Sequence, residues 1–494
     1  MGNGLVGLRA VGVGRARALG GVWAAALLLG GCAHVLTMPP GPTCAPFMTA
    51  YTPQPFPRGT PELRPPTTLD DLVDRKIARR ASAVAPLPGS SYAPAVSSSA
   101  PPTPAPLTLD VLVLSGGGSY GAYGAGFLTG LYGAGVDRPN REGEIALQDY
   151  DFISGVSTGA IMTTYIWGAA ILARGGSDPA DNQGLKDLAN LYDVSDPQLF
   201  RTQNTLAALL FSNGLYDPRG RLEAKVHAAV NRYAPIVRSD TAADRAEVGA
   251  VNVTNGRFYS FDLKKMANAP GPEGLDCYSE AILASAAIPL AFPPRYIDGD
   301  PYYDGGVRFL AYFDEMLRAL RTRTDRSEIQ LNITVIVNGA QSANAAGTDA
   351  AAAAACDRAS LADTAKVCPA IVNNLLGSLT GGSGGKGLIP RTVEDIMVQQ
   401  LKVDAISRIY EDWRTSGYAG NFRYTYIPNS QLAAPPPGAR LNGPCQAPQG
   451  STAQFDPAFM RCLFAIGRYK GAMGAWERQE FQSWDQARKR AAAP

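Results

Sequence analysis

Three short stretches place residues that can do chemistry at spacings that suit it. The first is Gly155-Val156-Ser157-Thr158-Gly159. An apolar, strand-like run precedes it and a helical run follows. A serine at such a strand-to-helix elbow is held with strained backbone and an exposed hydroxyl, the arrangement of an activated nucleophile. Side chains two positions to either side would collide with it, hence Gly155 and Gly159. The helix that follows points its positive end at the serine, which favours developing negative charge.

The second stretch is Gly116-Gly117-Gly118-Ser119-Tyr120-Gly121. It too lies between a strand-like and a helix-like run. Glycines let backbone N–H groups face a cavity with no side chain in the way, and such a nest binds anionic oxygen. In a hydrolase the amides of Gly117 and Gly118 would form the oxyanion hole. The spacing Gly116-x-Gly118-x-x-Gly121 also spells the dinucleotide fingerprint. That fingerprint wants an acidic residue at the end of the second strand, but here that strand ends in Ser154 and runs into the elbow.

The third stretch is Asp304-Gly305-Gly306, after Tyr302-Tyr303. A serine nucleophile needs a base. The chain has two histidines, His34 and His227. His34 is remote from the folded part, and His227 sits opposite the apolar stripe Leu222, Val226, Ala229 and Val230. It reads as a solvated surface residue, so the base is a carboxylate or a lysine. Asp298-Gly299 supplies the hairpin turn between 295–297 and 302–303, which leaves Asp304 for the base. A carboxylate becomes a useful base in an apolar site. With so few histidines and no CxxC spacing, no zinc site or other cofactor is expected. The balance of 45 basic and 43 acidic residues gives no reason to expect a nucleic-acid partner.

These parts need a scaffold. Apolar runs at 109–114, 152–154, 248–254, 258–262 and 329–338 alternate with helical patterns at 122–133, 160–173, 219–233, 278–287 and 391–414. The pair 248–254 and 258–262 is joined by the Asn255-Gly256 turn. Strand–helix alternation predicts an α/β fold with a mostly parallel sheet and helices on both faces. The segment 160–173 is nearly all apolar but too short to span a bilayer, so it reads as a core helix.

The N-terminus reads as an export signal. Arg9, Arg15 and Arg17 precede an apolar stretch that ends in Leu29-Gly30-Gly31-Cys32. Cys32 is the expected lipidation site, with the membrane as partner through acyl chains. Ala33 after it suggests an outer-membrane destination. The other six cysteines can pair in an oxidising compartment, and the preferred pairs are Cys356 with Cys368 and Cys445 with Cys462. The expected division is a signal peptide at 1–31, a Pro-rich tether at 32–106 with a short helix at 69–80, a catalytic core at 107–313, its completion with insertions at 314–430, and a tail with a terminal helix at 431–494.

The three stretches, in this order, resemble the patatin-like phospholipases. A fourth, Ala284-Ser285-Ala286-Ala287-Ile288-Pro289 followed by Phe292-Pro293-Pro294, is similar to a stretch those proteins carry before their aspartate. The resemblance spans roughly 107–313. It implies a three-layer α/β/α fold, a Ser157–Asp304 dyad, and a lipid or other acyl ester as substrate. The chain departs from the family at Tyr120, where many members carry Arg or Lys. Two readings therefore stay open: an active serine hydrolase, or a catalytically inactive structural or binding lipoprotein of the same fold.

Overall fold

A computed structural model describes residues 41–51, 72–78, 106–133, 145–192, 221–242, 244–289, 291–313, 320, 323–339, 391–445 and 455–477. Cys32, His34, Cys356 and Cys368 lie outside the described residues, as does the chain beyond 477.

The described strands are β1 (Met48–Tyr51), β2 (Leu107–Leu114), β3 (Phe152–Val156), β4 (Arg245–Asn252), β5 (Phe258–Asp262), β6 (Arg295–Ile297), β7 (Asp300–Asp304), β8 (Ile329–Ile336) and β9 (Phe422–Thr425). They form one sheet of nine in the order β1-β5-β4-β3-β2-β8-β9, with β7 on β4 and β6 on β7. The central pairings β3–β4, β2–β3, β2–β8 and β8–β9 are parallel. The described helices are α1 (Gly121–Tyr132), α2 (Thr158–Arg174), α3 (Gln183–Tyr192), α4 (Arg221–Ser239), α5 (Leu263–Asn268), α6 (Glu273–Ser285), α7 (Arg391–Ser416), α8 (Asn429–Ala433) and α9 (Pro457–Met473).

Strand β2 shows how the layers form. Its side chains alternate between faces, and both faces are buried. Leu112 and Leu114 join the core under α1, α2, α4, α6 and α9. Leu109, Val111 and Val113 join a second core, which Ile406 and Ile409 of α7 and Leu72 and Val73 of a helical segment at 72–78 cover. The result is the expected three-layer α/β/α arrangement. Helix α2 is buried along nearly its whole length, as its apolar sequence requires. No described helix is long and apolar enough to cross a membrane.

The N-terminal boundary differs from expectation. The domain begins well before 107, because β1 pairs antiparallel with β5 from Met48↔Phe261 to Tyr51↔Phe258. A disulfide joins Cys44 to Cys277 on α6, across 233 residues. The Cys44 amide also donates to Asp298 Oδ1 (2.9 Å). What reads as tether is thus partly a stapled edge of the fold. The expected Cys445–Cys462 bridge is present and joins the segment after α8 to α9.

Helix α9, beyond the region covered by recognisable motifs, is an integral part of the first layer. It packs on α1 through glycines on both helices. A Cβ at Gly130 would lie 2.1 Å from the Arg468 carbonyl, and one at Gly467 would lie 2.1 Å from that of Tyr123. Such close backbone approach fixes α1, and with it the glycine loop at its N-terminus.

Candidate active site

Strand register delivers the serine and the aspartate to the same end of the sheet. β3 pairs with the first half of β4 up to Val156↔Gly249. Ser157 is the next residue of β3. On the β4 edge that β3 vacates, β7 takes over antiparallel and sets Asp304 opposite Ala250. The turn that returns β7 is Asp298-Gly299, both with positive φ (53° and 81°), as a tight hairpin demands. Asp298 thus makes the turn and Asp304 is left at the site.

Ser157 caps α2 with φ 56° and ψ −126°, a conformation that L-residues avoid. A relay of two hydrogen bonds holds it there. Its amide donates to Ser285 Oγ (3.0 Å). Ser285, fully buried at the end of α6, donates in turn to the Gly249 carbonyl of β4 (2.6 Å). The chain around the elbow is too close for side chains. A Cβ at Gly159 would fall 2.3 Å from the Leu114 carbonyl, and one at Gly155 2.3 Å from Thr163 Oγ1.

Asp304 is 4% exposed. Its Oδ1 accepts from the Gly306 amide (2.7 Å), and its own amide donates to the Ala287 carbonyl (2.9 Å). Burial drives its pKa up to about 7; the Ser157 hydroxyl and the Gly306 amide pull in the opposite direction. The hydroxyl is thus near enough to act on the carboxylate, although Oδ2 completes no hydrogen bond in the resting site. That leaves one carboxylate oxygen in an apolar setting, with a proton affinity suited to a base at neutral pH.

The glycine loop is anchored at its ends and open in its middle. The Gly116 amide is used, donating to Leu310 just after Asp304 (2.7 Å). Gly118 has φ 55°, a left-handed turn that suits glycine. Among the described residues no acceptor bonds the amides of Gly117 or Gly118. Gly121 opens α1, with no room for a side chain beside Thr158. Behind the loop stands buried Asn338, whose amide donates to Ser115 Oγ (2.8 Å) and whose side-chain amide donates to the Ser115 carbonyl. A Cβ at Gly117 would lie 1.8 Å from the Asn338 carbonyl. Tyr120 turns its ring edge-on to Phe459 (5.5 Å).

From Ser157 and Gly118 a cavity of about 30 Å³ leads between apolar walls that include Ile161, Leu191, Leu222, Phe292 and Met460. Thr158 and Tyr192 tie one wall together by a hydroxyl pair at 2.6 Å. A larger cavity of about 520 Å³ lies at the opposite end of the sheet, beside the start of β4. Neither Ser157 nor Asp304 lines it, and its Lys264 is engaged by the Ala242 carbonyl (2.7 Å) and Asp244 (3.2 Å). The small cavity is the one that meets the chemistry.

Residues 112–311 match the family model described as patatin-like phospholipase. This segment is a patatin domain. No curated protein matches the chain. The patatin match takes in the glycine loop, the elbow, the segment 284–294 and Asp304–Gly306, and stops before α7 and α9. His227 lies on α4, its side chain 41% exposed and 3.8 Å from Glu223, a surface pair one helical turn apart. Among the described residues no group of three His, Cys, Asp or Glu is placed to hold a metal. The roles of Ser285 and Asn338, and the share of Phe455 and Met460 in the cavity wall, had no signal in local spacing. Each depends on a contact between elements far apart in sequence.

Proposed function

We propose that this chain is an acyl-ester hydrolase of the phospholipase A, lysophospholipase or esterase type, with Ser157 as nucleophile and Asp304 as base. The observation that carries the reading is the pairing of a strained, buried serine with a carboxylate whose proton affinity burial has raised to about 7. Asp304 takes the Ser157 proton as Oγ attacks the ester carbonyl. The tetrahedral oxyanion faces the amides of Gly117 and Gly118; removal of one such donor costs about 3–4 kcal/mol in related chemistry. Asp304 returns the proton to the leaving alcohol, then activates the water that releases the fatty acid. The apolar cavity suits an acyl chain and widens on binding, because its resting volume of about 30 Å³ holds only a water or two.

The test is hydrolysis of p-nitrophenyl esters and of phospholipid by the purified protein. Ser157→Ala should lose turnover, and His227→Ala should keep it. A strong loss in His227→Ala would overturn the dyad. Tyr120 in the glycine loop favours the second reading, an inactive scaffold, and a wild-type protein inert across chain lengths would support that instead.

The chain is further proposed to be exported and held by acylated Cys32 in a membrane, the outer one on the evidence of Ala33. Mass spectrometry of the mature N-terminus should find a lipid-modified cysteine; an unmodified start at Ala33 would exclude the anchor.

A further inference from the structure

The walls of the small cavity come from two parts of the chain. Ile161, Leu191, Leu222 and Phe292 lie within 112–311, the segment that matches the family model. Phe455 and Met460 lie outside it, at the start of α9. That start is built as a cap. Asp456 is the N-cap residue, and its carboxylate accepts from the Phe459 amide (2.7 Å). Phe455 stands just before the cap and Met460 at the fourth helical position. An apolar pair at those two positions often packs together and fixes the angle at which the chain enters a helix. Here both residues also line the cavity beside Ser157.

This part of the wall is held in place. Met460 is 1% exposed, and its helix is fixed by the Cys445–Cys462 bridge and by its glycine contacts with α1. The Phe455 ring lies 5.8 Å from that of Phe292, in a small apolar cluster with Ala287, Ile288 and Ala291. Among the described residues the cavity walls carry no charged side chain, so what they discriminate is the size of an apolar group. In a close-packed pocket one methylene more or less changes that discrimination ten-fold or more. Bulk at 455 and 460 therefore bears directly on how much of an acyl chain fits.

We infer, on the acyl-hydrolase reading, that Phe455 and Met460 set the length of acyl chain that the site accepts. The start of α9 is a specificity element brought from outside the matched segment to a site whose nucleophile, base and glycine loop lie within it.

The test compares kcat/KM for p-nitrophenyl butyrate and p-nitrophenyl laurate, with a thermal melt for each variant. Phe455→Ala and Met460→Ala should each raise the laurate-to-butyrate ratio on the order of ten-fold. Leu463→Ala truncates a fully buried residue of the same helix that does not line the cavity. It should melt lower than wild type and keep the wild-type ratio. Should Met460→Ala fail to fold, Met460→Val removes less volume and should move the ratio the same way, as should Phe455→Ala at its half-buried position. Folded variants at 455 and 460 that keep the wild-type ratio would overturn the inference, and so would Leu463→Ala shifting it as far as they do. A wild type inert on both esters, or an active Ser157→Ala, would instead overturn the hydrolase reading itself. An active wild type with a dead Ser157→Ala and unchanged ratios at 455 and 460 would sink this inference alone.

Discussion

Asp304→Asn should lower kcat by about 10²–10⁴-fold, the usual contribution of a general base, and at the same time make the protein more stable above neutral pH. The two effects share a cause. Burial raises the Asp304 pKa from 3.8 to about 7. Below pH 3.8 the group is protonated in both the folded and the unfolded chain and costs nothing. Between 3.8 and about 7 the folded chain holds a proton that the unfolded chain has released, so stability falls as pH rises. Above about 7 the folded chain carries a buried charge, and the penalty is complete at roughly 4 kcal/mol. Asparagine has no charge to bury, so the variant should melt higher than wild type at pH 8 and equal to it at pH 3.5. Wild-type kcat/KM should rise with pH through about 7, since the reaction needs the ionised form. A variant no more stable than wild type at pH 8 would refute the buried-charge account, and a flat pH–rate profile would refute the base.

The second large effect concerns the Cys44–Cys277 bridge. It closes a loop of 233 residues. Restricting so long a loop in the unfolded chain is worth about 5 kcal/mol by the chain-entropy argument. Cys44→Ala/Cys277→Ala should therefore lower the denaturation free energy by several kcal/mol, measured by urea titration. The Cys445–Cys462 bridge closes a loop of only 17 residues, so Cys445→Ala/Cys462→Ala should cost less, about 3 kcal/mol. Equal losses in the two double variants would count against the loop-length explanation. The longer bridge also joins α6, whose last residue Ser285 supports the Ser157 amide, to the segment that leads into β1 at the edge of the sheet.

Much of this site was legible because it is written in short-range terms. Gly155, Ser157 and Gly159 lie within five residues, and the steric need for each glycine follows from that spacing alone. Asp304 could be separated from Asp298 because the latter fits a hairpin turn. The parallel strands are continuous apolar runs, since both their faces are covered. The rest was illegible for one physical reason, that it depends on contacts between distant segments. Met48–Tyr51 is four residues in a Pro-rich stretch, too short to show a pattern, and becomes a strand only because β5 offers an edge. Cys44 could pair with any of several partners on sequence grounds. Met460 looks like one more apolar residue of a terminal helix until α9 packs on α1 and carries it to the cavity beside Ser157.

The stapled N-terminus also fixes a leash. If Cys32 carries acyl chains, only residues 33–43 lie between the bilayer and Cys44, at most roughly 40 Å of extended chain. A tether running to 107 would have reached roughly 260 Å. So anchored, the shorter leash would confine the domain to a thin layer over that membrane. There the effective concentration of the membrane's lipids would be high, while a bilayer farther off would be out of range.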